Sequence, residues 1–223
     1  MASWMVHLRI ASSLLKQINN LSEQAFIVGN IAPDSGVPNE DWSQFTPSTT
    51  VSHFRTPQYR KADPHHFSEK YFNPQQRLKY TNDEFSFFLG YLVHLMTDVS
   101  WSEKIVSPAK IRFADEWAAD SNACIWRMKE DWYDLDFMYL RDHPNFPAFR
   151  IYLEAEGFEN RFMEEFSTDA FDNRRQYITG FYLAGKENLD RHHPYLTKEE
   201  MDQFVAQTAA EICRILSEEY GIS

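Results

Sequence analysis

The sequence is short of glycine, cysteine, cations and long apolar runs. Seven glycines in 223 residues are few for a sheet-rich chain with many tight turns, where glycine takes the left-handed conformations. Two cysteines, Cys124 and Cys213, leave no disulfide framework and no CxxC motif. Each falls in a helical pattern as a small hydrophobe, which fits a reducing compartment. Lysine and arginine number 22 against 33 acids, a formal charge of −11. That argues against nucleic acid held through its phosphates, and against docking on an anionic bilayer by charge alone. No stretch is long and apolar enough to make a transmembrane segment. The opening MASWMVHLRIASSLLKQINN lacks the basic head, apolar segment and cleavage site of a secretory leader. The chain is therefore expected to be cytoplasmic.

What is present is ample core material: 43% hydrophobic and 16% aromatic residues. Residues 3–18 read as an amphipathic helix, with Met5, Ile10, Leu14 and Ile18 at helical spacing and His7 on or beside that face. Ser22 can cap a short helix that stops near Gly29. From Asn30 to about Pro74 the chain reads as one long irregular stretch broken by Pro33, Pro38, Pro47, Pro57 and Pro64, and loops of that length are often functional. Thr81 and Glu84 have capping-box spacing and open a helix from about Asp83 to Trp101. Pro108 suits the first turn of the next helix, whose apolar face runs from Trp117 toward residue 140. Pro147 opens a short helix ending at Gly157. The segment FENRFMEEF reads as another, and residues 168–189 and 198–219 as two more. The last has its own capping box at Thr197 and Glu200. The expectation is an all-α fold, a single-domain multi-helix bundle over residues 1–223 with a long proline-rich loop near residues 30–74.

Within the helix beginning near Asp83, GYLVHLMTDVSW puts His94 and Asp98 four apart, on one face, among Leu, Val and Met. Gly90, one turn earlier, leaves room for another group to come close. An isolated HxxxD pair is most simply a satisfied histidine with a local carboxylate. His7, Asp34 in IAPDSG and His53 in VSHF change the balance. Each alone reads as structural: a core histidine, an Asx-turn residue, a solvated loop residue. Together, three histidines and two aspartates suit zinc or a pair of zinc-like ions. His65, His66, His192, His193 and His143 read as exposed loop or turn residues. The aromatics from 126 to 182 read mostly as core.

The segments SWMVHLRIA, FIVGNIAPDSG, VSHF and FFLGYLVHLMTD, in that order, resemble the zinc-dependent phospholipase C family, a relative of the fungal single-strand nucleases. The resemblance covers roughly the first 100 residues. It implies a helical bundle around a zinc cluster, with Asp34, His53, His94 and Asp98 on one ion and His7 on a second that Asp98 bridges. The family's N-terminal tryptophan amine has no counterpart here, because Trp4 follows Met1, Ala2 and Ser3. Where the family holds a third ion, this chain has Lys104 in place of a histidine, then Glu116 and Asp120. These three are expected to be either a vestigial third site in which Lys104 neutralises the two carboxylates or, for the two acids, simply a solvated helix face. One or two zinc ions are therefore expected, not three.

The resemblance implies a phosphoesterase of phosphodiesters or phosphomonoesters, with a zinc-activated water attacking phosphorus and Asp34 as catalytic residue. Without a leader or an appended lipid-binding domain, a small phosphate ester is favoured as substrate, and a phospholipid head group stays open. The alternative is a degenerate metal-binding relative acting as a binding or scaffold protein. An HD-type phosphohydrolase is disfavoured, because no adjacent His-Asp dipeptide occurs.

Overall fold

The computed structural model describes residues 1–41, 43–56 and 61–222. Its helices are α1 (Trp4–Leu15), α2 (Glu23–Ile31), α3 (Thr49–Ser52), α4 (Pro64–Tyr71), α5 (Pro74–Arg77), α6 (Asn82–Trp101), α7 (Ser107–Arg112), α8 (Ala114–Ala119), α9 (Ser121–Asp142), α10 (Pro147–Glu154), α11 (Ala170–Leu183) and α12 (Lys198–Tyr220). The all-α expectation holds. Strand structure among the described residues is one two-residue antiparallel pair, β1 (Val37–Pro38) and β2 (Phe45–Thr46).

Helix α6 is the axis of the molecule. Its start is the expected capping box: the Thr81 hydroxyl accepts from the Glu84 amide and the Glu84 carboxylate from the Thr81 amide. Asp83 and Glu84 also meet the positive end of the helix dipole. From Ser86 to Asp98 nearly every residue is buried, so the helix is covered on all sides. Helix α2 lies directly on it, and α1 packs on α2, α10 and α12. The α2–α6 crossing is backbone to backbone. A Cβ on Gly29 would sit 2.1 Å from the Phe87 carbonyl oxygen, and one on Gly90 2.2 Å from that of Phe26. The room Gly90 leaves is thus filled by α2.

Four expectations need correction. The stretch from 30 to 74 is not one irregular loop. Among its described residues it holds a 3-10 turn (Ala32–Asp34), the β1–β2 hairpin, α3 and α4. The prolines that suggested a loop serve as starts: Pro64 opens α4 behind an Asp63 cap that accepts from the His66 amide. Pro57 lies outside the described residues. The segment 158–166 is not helical, because the Asn160 side chain takes over its backbone. It donates to the Met163 and Phe166 carbonyls and accepts from the Phe162 and Met163 amides. The helix expected toward residue 140 is broken at Phe113 and Asp120, and Asp120 is extended (φ −157°, ψ 97°). Helix α11 ends at Leu183, well short of residue 189, ahead of Gly185 at φ 72°.

Candidate metal centre

His7, Asp34, His53, His94 and Asp98 come together from four elements: α1, the 3-10 turn after α2, the end of α3, and α6. Two groups of three donor atoms each lie within 4.8 Å of one another, His7–His94–Asp98 and Asp34–His53–His94. His53 Nε2 is 3.5 Å from Asp34 Oδ1, 3.3 Å from Asp98 Oδ2 and 3.3 Å from His94 Nε2. His94 Nε2 is 3.7 Å from Asp98 Oδ2. His7 stands on the other side of Asp98, with Nε2 3.4 Å from Oδ1, and its ring stacks on His94 at 3.8 Å between centroids.

The surrounding hydrogen bonds aim these atoms. The close α2–α6 crossing brings the Asn30 carbonyl to His94, whose Nδ1–H donates to it at 2.8 Å. That fixes the tautomer with a lone pair on Nε2 facing the cluster. Asn30 also donates from its side chain to the Gly90 carbonyl. His53 Nδ1 meets the Ser52 hydroxyl at 3.0 Å, and Tyr91 on α6 donates to the Ser52 carbonyl, tying the end of α3 to α6. The residues ahead of His7 complete the set. The Ala2 amide donates to Asp98 Oδ1 at 2.8 Å, and the Trp4 indole N–H to Asp34 Oδ2 at 3.0 Å. Each bond engages one carboxylate oxygen and leaves the other, Asp98 Oδ2 or Asp34 Oδ1, turned toward His53. Ser3 donates to a third buried carboxylate, Asp136, at 2.8 Å.

The electrostatics are those of a site built for a cation. Burial works against the ionised carboxyl of Asp34, yet the hydrogen bond from His53 and the charges of His94 and His53 hold it well below the usual carboxylate range. Burial works against the ionised Asp98 as well, but the N-terminal ammonium and the close imidazoles of His53 and His7 hold it well below that range. Burial would lower His53, but its bonds to Asp34 and Asp98 raise it. Burial and the neighbouring His7 push His94 down to about 3, leaving it the neutral imidazole that metals bind. Asp98 Oδ2 and both ring nitrogens of His7 are buried without a hydrogen-bond partner. Two carboxylates, three imidazoles and orphaned donor atoms in a dry setting fit zinc or a similar divalent ion.

The third-site positions do not come together as expected. After α6 the chain makes a π-helical turn, Ser102–Val106, which directs Lys104 to Glu211 on α12. Glu116 pairs with Arg127 at 3.0 Å and accepts from the Tyr195 hydroxyl at 2.7 Å. Asp120 is the cap of α9, accepting from the Ala123 amide. Lys104 therefore neutralises neither acid. The helix breaks at Phe113 and Asp120 undo the four-residue spacing that suggested it.

Among the other histidines, His65 and His66 are exposed on α4, and exposed His143 bonds its own helix end through Tyr139. His193 differs from expectation. Its side chain is only 10% exposed and lies 3.6 Å from buried Asp134, which also holds Arg191 and Lys186.

Above the cluster opens a cleft of about 440 Å³, lined by the N-terminal residues, the β1–β2 hairpin, α3, α9 and α11. Of the five metal-type residues, Asp34 reaches its wall. Helix α9 supplies the floor through Ile125, Trp126, Lys129, Trp132 and Tyr133, a stripe at helical spacing. The aromatics from 126 to 182 are mostly core, as expected. Trp126 and Tyr177, 63% and 44% exposed, are exceptions at the cleft. Lys129 and Arg174 also line it, and sequence reasoning missed both. The signal was the α9 stripe, whose apolar positions are interrupted by one lysine.

Residues 6–110 match the family model for zinc dependent phospholipase C. That span contains His7, Asp34, His53, His94 and Asp98, and ends before α8 and α9. No curated protein and no solved structure matches the chain. Among the described residues, no helix is long and apolar enough to cross a membrane.

Proposed function

We propose, from the match of residues 6–110 to the zinc dependent phospholipase C family model, that the protein is a zinc-dependent hydrolase of phosphate esters working in the cleft beside Asp34. One observation carries the reading: Asp34 belongs to the cation-ready cluster and also lines the cleft. It is where metal and substrate would meet.

Asp34, His53, His94 and Asp98 would hold the first zinc, and His7 with Asp98 a second. Bound zinc supplies a Lewis acid for the phosphoryl group and lowers the pKa of a water nucleophile toward neutrality. The chain's own residues do the rest. Asp34, kept ionised by its surroundings, would orient the attacking water by accepting its hydrogen bond on a carboxylate oxygen. The Trp4 indole holds that carboxylate in register. His94, held neutral by burial, would offer its lone pair to the ion at working pH. Asp98, braced by the Ala2 amide, would serve as a ligand shared by the two positions. The apolar cleft walls exclude bulk water from the ester and strengthen these charge interactions.

The test is zinc content and turnover of chromogenic phosphodiesters and phosphomonoesters with and without chelator. We expect one or two zinc equivalents and a chelator-sensitive activity that His94→Ala and Asp98→Ala abolish. Turnover unchanged in both variants would remove the cluster from the chemistry. Tight zinc without turnover of any phosphate ester would favour the scaffold reading, which the dispersal of Lys104, Glu116 and Asp120 into structural contacts supports.

A further inference from the structure

The chain carries a formal charge of −11, yet its cleft does not share that sign. Among the described residues lining it, the acid is Asp34, already engaged in the metal cluster, and the cations are Lys129 and Arg174. Arg174 is buried at 7% exposure and spent on the wall: it donates to the Gly36 carbonyl at 2.7 Å and lies over the Tyr177 ring. Lys129 is different. Its ammonium sits 4.6 Å from the centre of the Trp126 ring. Among the described residues no carboxylate comes within ion-pair distance of it, although 33 acids are available in the chain. The acids that follow it on α9 face Arg191 instead: Asp131 and Asp134 are buried against it, and exposed Glu130 lies 4.0 Å from it.

An aromatic face compensates an ammonium far less than a carboxylate does, so Lys129 keeps most of its unmet charge. Burial lowers its pKa, while the charge of Asp34 works the other way. The half-buried ammonium shares the cleft wall with Asp34. Trp4, Phe45, Trp132 and Tyr133 complete the walls around it. The cleft is large enough for a drug-sized ligand.

We propose that Lys129 is a specificity residue that reads the charge on the organic portion of the phosphate ester. Resting on the phosphoesterase reading above, it names the substrate class of that site. The class is esters whose alcohol joins an aromatic or apolar body to an anionic group. Esters whose alcohol bears an ammonium are turned away, because they meet Lys129 as a like charge.

Three probes on one scaffold test this: 4-carboxyphenyl phosphate and 4-(aminomethyl)phenyl phosphate, of similar size and opposite charge, and unsubstituted phenyl phosphate. Binding is measured by calorimetry on zinc-loaded and zinc-free protein, and turnover by phosphate release. The expected order of affinity and kcat/KM is carboxy, then unsubstituted, then aminomethyl, with steps of about five- to tenfold. Lys129→Gln should flatten the order and Lys129→Glu should invert it, with zinc content and thermal unfolding unchanged in both. Equal affinities for the three probes in the wild-type protein, binding of none of them, or an order that survives Lys129→Glu would overturn the proposal. A Lys129-dependent binding order in a protein that turns over none of the probes would instead refute the hydrolase reading and leave the subsite standing. Turnover of all three without a charge order would do the reverse.

Discussion

The Trp4 indole selects between the two oxygens of Asp34, and that choice is the most local determinant of the centre. With Oδ2 engaged at 3.0 Å, Oδ1 is left for His53 and a cation. Trp4→Phe keeps the ring and removes the donor. It should weaken zinc binding about 10–100-fold with the helical circular dichroism unchanged, as competition with a chromogenic chelator would measure. His53 sets a second expectation. Burial lowers its pKa but its contacts with Asp34 and Asp98 raise it on balance, so a proton on this ring competes with zinc more strongly than on a free imidazole. Zinc affinity should therefore fall as pH drops below that raised value, by roughly tenfold per unit for one proton. Calorimetric titrations in buffers of different ionisation enthalpy should show proton release, and identical heats in all of them would contradict it. At this scale the cluster was legible in sequence. His94 and Asp98 share a helix face, and their setting among Leu, Val and Met announced burial. The aiming bonds from Ala2, Trp4 and Asn30 were not legible, because a backbone amide, an indole and a backbone carbonyl carry no motif.

At the scale of elements, the centre depends on how closely α2 and α6 approach. Gly29 and Gly90 let the backbones touch, and that contact brings the Asn30 carbonyl to His94. Gly90→Ala would drive a Cβ into the Phe26 carbonyl and the Asn30 amide, both backbone and neither able to rotate away. We expect a loss of about 1–3 kcal/mol or more in urea unfolding, with weakened zinc binding in the protein that remains folded. Alanine is otherwise the better helix former, so a stabilised variant would show that the crossing can relax. The α6 start was readable from its capping box, and the α12 start from Thr197 and Glu200. The run from 102 to 120 was not. Its π-turn leaves no mark in spacing, and its breaks fall at Phe113 and Asp120, neither of them a glycine or a proline. For that reason spacing alone misplaced Lys104, Glu116 and Asp120. The hairpin within residues 30–74 escaped for a related reason: a two-residue strand is too short to show alternation.

Across the whole molecule, Asp136 ties three distant parts together. Its carboxylate accepts from Ser3 ahead of α1 and, at 2.7 Å, from Tyr182 on α11, while it belongs to α9 itself. Burial raises its pKa to about 7 against the hydrogen bonds from Tyr182 and Ser3 and the charge of Arg9. An unfolded aspartate titrates near 3.9. The stability this group contributes is complete below about pH 4 and is lost as pH rises through about 7, because the folded chain holds a proton the unfolded chain has released. Asp136→Asn should therefore stabilise the protein at pH 8, on the order of 3 kcal/mol, and change little at pH 4. Thermal unfolding at both values checks this, and an equal shift at the two would exclude titration as the cause.

The glycine crossing of α2 on α6 also bears on what happens when the protein breathes. Native chains open in cooperative parts, and the last to open are those with the most deeply buried backbone hydrogen bonds. Every residue from Ala25 to Ile31 is buried, as is most of Ser86 to Asp98. Their amides should exchange with deuterium only through global unfolding. Those of α3, four residues long with a single buried one, should exchange through local opening. Asp34, His94 and Asp98 ride on or beside the slow part and His53 on the fast one. Opening of α3 would then release one ligand while three stay in place, giving the buried ion a way in and out without unfolding its own cradle.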